Sequence, residues 1–449
     1  MPSNLLRPLN IIPPEYRFGG KKYVETLNFI LESEKWDILK LRKYQAHALK
    51  QILSFAVKNV PFYENIKLKE DAFKDIQKFP LLTKIDVINN FAKLVSKNIK
   101  FKDAFVDTTG GSSGKQLRFY SSNSLYAIEW AFLVALWKRV GYEPGDRIIS
   151  FKGGSIRFGN KFWRYDPIYN ALALSPFHMN SQTLQQYIEK IQVWKPKFIF
   201  GYPSAITIIS KYILENQISL PQVKAALLCS EKLYPYQREL IEKAFRARVF
   251  SWYGQSEKVI LAGECEVSQK YHVFPQYGFT EFFGEDASIV EESLEDVELV
   301  GTSFFNFSMP MIRYRMDDYV TLSDVKKCKC GRSYILIDCV KGRWLQEMVL
   351  GKHGSLISLT ALNIHSEELK KVYVLQYYQD TPGFLILRIR HNGSFSYENQ
   401  KRVIAAFEAK VGHELDIIID TLTEIEVTQR GKTNLLVQKL DLSEWWNSL

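Results

Sequence analysis

Four short stretches of the 449-residue chain carry residue types suited to holding phosphate. DTTGGSSGK, residues 107–115, offers consecutive glycines that let backbone N–H groups approach an anion, hydroxyls that add donors, and the mobile charge of Lys115. It departs from the standard P-loop, which requires glycine where Thr109 stands and Ser or Thr where Gln116 stands. A flexible linker shares this composition, but linkers seldom lie between two apolar strand candidates, here Phe105-Val106 and 117–120. WYGQSE, residues 252–257, ends a predicted strand; its aromatic rings, glycine and Glu257 suit a purine and a metal-bridged phosphate. The alternative is a tight turn with a solvated Glu257. RYRMDD, residues 313–318, follows the run SMPMI, and Asp318 is placed to accept two ribose hydroxyls. An edge strand with alternating charges would look the same. Near the end, Gly431 permits a turn that projects Lys432 as a point charge.

A second constellation is sulfur-rich. Cys265 precedes His272 by seven residues, and Cys328 and Cys330 follow in Cys-Lys-Cys-Gly. Three thiolates and an imidazole match a tetrahedral structural Zn²⁺ site, whereas buried cysteines can also act as small hydrophobes. Cys229 and Cys339 read as core residues. His178, in SPFHMNS, reads as a structural histidine with satisfied hydrogen bonds.

These residues need elements to position them. Residues 27–92 read mainly as helix, with Leu49, Ile52, Leu53 and Ala56 at helical spacing and Pro61 as the stop. Beyond them, predicted helices (126–140, 184–194, 236–245) alternate with predicted strands (148–151, 198–200, 225–228, 248–252). That alternation predicts a layered α/β domain with a substantially parallel sheet. After residue 342 the segments 372–378, 383–390, 401–410 and 415–419 predict a small α+β domain. The expected division is therefore 1–341, with a helical segment over about 1–100, and 342–449.

Composition narrows the function classes. A hydrophobic fraction of 46% and a charged fraction of 24% are ordinary for a soluble globular protein. The net charge of +10 is spread along the chain without a basic run, which argues against nucleic acid and suits small polyanions. No segment has the apolar length of a transmembrane helix, and the N-terminus lacks a signal-peptide core. Five sparse cysteines argue against a disulfide framework, so the cytoplasm is expected.

Taken in order, the four loops resemble the signature series of the adenylate-forming superfamily of acyl-CoA synthetases, peptide-synthetase adenylation domains and luciferases. The nearer resemblance is to its phenylacetate–CoA ligase-like branch. LRKYQAHALKQILSFAVKNVPFYENI looks like that branch's N-terminal signature, and FGYPSAI and LLCSEKLYPYQRELIEKAF fall at its Gly-Tyr-Pro-Ser and Ser/Gly-Glu-x-Leu motifs. CKCGR and TQRGKTNLLV are similar to versions in capsule-polysaccharide-associated members. The resemblance implies a large N-terminal adenylation domain and a small mobile C-terminal domain. Thr108, Thr109, Ser112, Ser113, Gly114 and Lys115 would hold the ATP phosphates. Glu231, Tyr253, Gly254, Gln255, Asp318 and Arg343 would contact the nucleotide, with Glu257 on Mg²⁺. Lys432 and Lys115 would be catalytic, Cys265, His272, Cys328 and Cys330 would bind zinc, and His178 would lie near the acyl group. The implied chemistry is conversion of a carboxylate and ATP to acyl-AMP, then acyl transfer to CoA or an amine such as that of a sugar nucleotide. Two alternatives stand beside it: a CoA-independent amide-forming ligase of surface-polysaccharide assembly, and a nucleotide-binding interaction protein without catalysis. The chain departs from the branch at Met316-Asp317, where Thr-Gly is usual, and at Trp344-Leu345-Gln346, in the hinge expected over 342–347.

Overall fold

The computed structural model describes residues 13–109, 117–152, 162–284, 289–290, 297–340, 348–362, 372–391, 395–421, 425, 435–442 and 445. The N-terminal part is helical, as the periodicity predicts. In helix Ile38–Asn59 the Asp37 side chain accepts from Lys40 N at 2.8 Å, and the buried stripe includes Leu41, Leu49, Ile52, Leu53 and Ala56. The helix stops before Pro61, which cannot continue the backbone hydrogen bonds. Helix Ser124–Lys138 is apolar on nearly all sides, because helix Gly20–Ser33 covers one side and the sheet the other.

Strands β1 (Ala104–Thr108) and β2 (Arg118–Ser122) form an antiparallel hairpin that brings both ends of the Gly/Ser loop together. Twelve strands make one large sheet. They are β3 (Ile148–Phe151), β4 (Trp163–Asp166), β5 (Ala171–Leu174), β6 (Phe198–Gly201), β7 (Ala225–Leu228), β8 (Arg248–Gly254), β9 (Leu261–Glu264), β10 (Tyr271–Val273), β11 (Gly278–Phe283), β12 (Val297–Ser303), β13 (Tyr314–Leu322) and β14 (Leu336–Val340). Their order is β11-β12-β13-β14-β10-β9-β8-β7-β6-β3-β5-β4. Strands β5, β3, β6, β7 and β8 are parallel, and every other pairing is antiparallel. The expected parallel sheet is thus the core of a larger mixed one. Strands β9 and β10 follow β8 too closely for a crossover, so they must add antiparallel.

This mixed sheet also corrects one alternative for RYRMDD. Strand β13 lies between β12 and β14, so it is interior, not an edge. Its entry is fixed by Arg313, whose Nε and Nη2 reach Glu281 Oε2 and Oε1 at 3.1 and 3.0 Å. Arg313 Nη1 also donates to Phe79 O at 3.1 Å, tying the helical N-terminus to the sheet. Both charged residues are buried, at 8% and 5% exposure, so neither charge has water as an alternative partner.

The C-terminal part contains the hairpin β15 (Met348–Leu350) and β16 (Leu356–Ser358) and a second sheet of β17 (Val372–Gln379), β18 (Phe384–His391), β19 (Asp416–Asp420) and β20 (Leu436–Gln438). Leu385, Leu387 and Ile389 of β18 share a core with Val403, Phe407 and Val411 of helix Tyr397–Val411.

Glu281→Ala would leave the Arg313 guanidinium buried and unpaired. A loss of about 3–5 kcal/mol is expected, read as a lower urea midpoint with an unchanged slope.

Candidate functional site

The parallel strands β6, β7 and β8 end at one edge of the sheet, where the chain must turn and side chains are free to face a ligand. A cavity of about 1000 Å³ opens there. The expected site residues Thr109, Glu231, Tyr253, Gly254, Gln255, Glu257 and Asp318 all line it. Thr108 is beside Thr109 in β1, paired with Arg118, and is not among the lining residues. Ser112, Ser113, Gly114, Lys115, Arg343 and Lys432 lie outside the described residues, as does the expected hinge.

Each described side chain has a structural cause for its place. Thr109 N donates to Leu117 O at 2.9 Å and its Oγ1 accepts from Leu117 N at 3.0 Å, so Thr109 closes the β1–β2 hairpin at the base of the Gly/Ser loop. Gly254 ends β8, where a Cβ would come within 2.9 Å of the Trp252 ring, so a larger residue would displace that ring. Tyr253 OH donates to Asp318 Oδ2 at 2.8 Å across the antiparallel strands. Burial, reinforced by the Asp318 carboxylate, pushes the Tyr253 hydroxyl well above its usual range, so it remains a donor. Glu257 is not a solvated turn residue: it is partly buried and accepts from Tyr314 OH at 2.9 Å. Burial raises its carboxyl above the ordinary value. Gln255 Oε1 accepts from Ile260 N at 3.2 Å, while its Nε2 is buried with no partner among the described residues. Glu231 Oε1 accepts from Ser204 Oγ at 2.9 Å and from Ser358 Oγ at 2.8 Å, so this edge of the cavity contacts the chain beyond residue 342.

Among the lining residues not singled out from the sequence are Lys84, Tyr314 and Glu129. Lys84 arrives because Leu82 exchanges hydrogen bonds with Arg313, just before β13, and with Arg315 of β13, and the Thr83–Asp86 capping box then starts a helix at Lys84. The motif Thr-Lys-Ile-Asp was legible as that cap. Tyr314 lies inside RYRMDD and was passed over for its charged neighbours. Glu129 is the one acidic residue of SLYAIEWAFLVALWK, an anomaly that periodicity alone does not flag.

The sulfur cluster is assembled beside this sheet. The donor atoms of Cys265, His272, Cys328 and Cys330 all lie within 4.8 Å of one another. Cys265 Sγ and Cys328 Sγ are 3.5 Å apart, and Cys330 Sγ is 3.3 Å from His272 Nε2. Val267 N donates to Cys265 Sγ at 3.3 Å, and Gly331, with φ +84°, turns the chain after Cys330. Arg332 binds Glu266 at 2.7 Å and Glu34 at 3.1 Å beside the cluster. The four residues could hold a metal ion. Of the two cysteines expected in the core, Cys229 is buried, but Cys339 is exposed on β14 at the cavity wall. His178 is structural: it bonds Ser175 Oγ through Nδ1 at 2.8 Å and stacks on Phe162 at 4.2 Å.

A mixed sheet with a cavity at its parallel edge and a small second sheet is an architecture shared by solved structures of 2-hydroxyisobutyryl-CoA ligase. One in complex with 2-HIB-AMP and CoA in the thioesterification state superposes with a TM-score of 0.59 at 17% identity, over 92% of this chain and 93% of that one. Another, in the postadenylation state with R3-HIB-AMP, gives 0.56 at 16% identity, over 93% and 94%. No family model matches the chain. Among curated proteins, Protein CapK of Staphylococcus aureus is 24% identical over 440 residues, covering 94% of this chain and 93% of its own. Phenylacetate-coenzyme A ligase of Aromatoleum evansii is 26% identical over 299 residues, covering 63% of this chain and 66% of its own. The chain shares the fold of these ligases and is similar over nearly its whole length to CapK and over its larger part to phenylacetate–CoA ligases. Among the described residues no helix is long and apolar enough to cross a membrane.

Proposed function

We propose that the chain activates a carboxylic acid with ATP and transfers the acyl group to CoA or to an amine, such as that of a nucleotide-linked sugar. The observation carrying this proposal is the convergence of Thr109, Tyr253, Glu257 and Asp318, from three separate segments, on one cavity. In the proposed reaction a carboxylate oxygen attacks the α-phosphorus, the bond to the β-phosphate breaks, and pyrophosphate leaves. The attacking and leaving groups are both anionic, so the protein's task is to position them and counter their charge. The loop that starts at Thr109 and holds Lys115 binds the β- and γ-phosphates. Tyr253 and Gln255 flank adenine, Glu231 borders the nucleotide, and Asp318 accepts the ribose hydroxyls with Arg343 beside it. Glu257 holds Mg²⁺, which screens the phosphate charge when bound. Lys432 brings the last positive charge from the C-terminal domain, taken as 342–449. A thiol or amine then attacks the acyl carbon and AMP departs.

We further assign the Cys/His cluster to a structural Zn²⁺. Tetrahedral zinc, with bonds of about 2.3 Å to sulfur and about 2.0 Å to nitrogen, spaces its ligands by roughly 3.5–3.8 Å. The observed 3.5 and 3.3 Å separations support that fit. Four protein ligands leave no open coordination position, so the ion would hold β10 to the β13–β14 connection without reacting.

Two measurements test these assignments. Acid-dependent ATP–pyrophosphate exchange is expected in the wild type, to fall by about a hundredfold or more in Lys432→Ala. Asp318→Ala should raise the KM for ATP about tenfold or more with a smaller effect on kcat. Exchange by both variants at the wild-type rate would refute the site. Elemental analysis of protein purified without chelator should give close to one zinc per chain. Cys330→Ala should lose most of it; a wild type without zinc would end the metal assignment.

A further inference from the structure

We infer that Glu129 reads the acid substrate, selecting a carboxylic acid whose chain carries a hydroxyl or amino group. This inference rests on the activation chemistry proposed above, and it concerns the opposite side of β8 from Tyr253 and Asp318. Successive side chains on a strand point to opposite faces. Tyr253 packs with the cluster that contains Met316 and Tyr314, whereas its neighbour Trp252 packs with the cluster of helix Ser124–Lys138, which includes Phe132, Phe274 and Tyr277. Glu129 projects from that helix, and both Glu129 and Trp252 line the cavity. The cavity therefore has a second side behind β8, walled by a mostly apolar helix into which a single carboxylate has been placed.

The state of that carboxylate points to a ligand. Tyr277 OH donates to Glu129 Oε2 from a ring otherwise packed against Phe132. Oε1 has no hydrogen-bond partner among the described residues. Lys258 and Lys152 act on it only through their charge, and Lys258 is itself engaged by Asp107 Oδ2 at 2.9 Å and Ser256 O at 3.0 Å. Glu129 is only half-buried, so Oε1 keeps contact with the water of the cavity and is open to a ligand's donor there. An alkyl or aryl chain filling this side would strip water from Oε1 and offer nothing in return. A substrate hydroxyl or ammonium would supply the missing donor. A site built to accept such a hydrogen bond discriminates far more strongly than an apolar pocket that merely tolerates a polar group.

The test compares matched acids in ATP–pyrophosphate exchange: 3-hydroxybutyrate against valerate, 4-hydroxyphenylacetate against 4-methylphenylacetate, and β-alanine against butyrate. In the wild type the donor-bearing member of at least one pair should have a kcat/KM about tenfold or more above its partner. Glu129→Leu should bring that ratio below about twofold while the KM for ATP stays within about twofold. Glu129→Gln, which keeps the shape but not the charge, should lose about tenfold or more on β-alanine and less on the hydroxy acids; this variant also serves if the leucine variant does not fold. A wild type preferring the apolar acid in every pair, or a ratio unchanged in both variants, would overturn the assignment. Exchange with none of the acids would count against the activation chemistry itself. The same pairs are then compared by calorimetric binding to protein saturated with AMP, where loss of donor preference in the variants supports the role of Glu129 and equal binding by wild type and variants overturns it.

Discussion

Strand β8 is bonded on one side to a parallel neighbour and on the other to an antiparallel one, and the rest of the cavity is arranged around that seam. A parallel edge alone leaves strand ends open to a ligand but offers few side chains from the opposite direction. An antiparallel neighbour alone would have its turn there instead. At the seam, the end of β8 delivers Trp252, Tyr253 and Gly254 together, while the antiparallel extension returns Asp318 and Tyr314 to the same place from the other direction. The Tyr253–Asp318 hydrogen bond is the direct product of this meeting.

What keeps the seam in register is polar and buried. The bidentate Arg313–Glu281 pair sets the start of β13, and the bond from Arg313 to Phe79 O sets the N-terminal segment that delivers Lys84. The Cys/His cluster joins the other end of the same antiparallel region, linking β10 to the loop between β13 and β14. Both devices act at a distance from the proposed chemistry, but each fixes where Asp318 stands. Hydrophobic packing alone leaves a strand pair free to slip, and a slip of one residue would turn Asp318 to the other face.

Much of this was legible in the chain. The helical N-terminus, the strands at 148–151, 198–200, 225–228 and 248–252, and the two strands flanking the Gly/Ser loop announce themselves by periodicity, because each has one local partner type and a breaker at its end. The antiparallel extension from β9 to β14 was not, since short strands paired with distant partners carry no local period. For the same reason β13 could be mistaken for an edge. Cys339 was misplaced because its strand turns it toward the cavity, a direction set by register. Thr109, Tyr253 and Glu257, which do line the cavity, stood out because they adjoin glycines that constrain residue type; Lys84 and Glu129 did not, because they sit in ordinary helices and reach the cavity only through tertiary placement.

The alternation along β8 has an evolutionary consequence. Residues that would meet the shared cosubstrate and residues that would meet the variable one occupy opposite faces of one strand and belong to different packing clusters. Substitutions can therefore accumulate behind Trp252 without disturbing the packing beneath Tyr253. On the activity proposed above, a lineage built on this strand would diversify its products while inheriting its energy source unchanged.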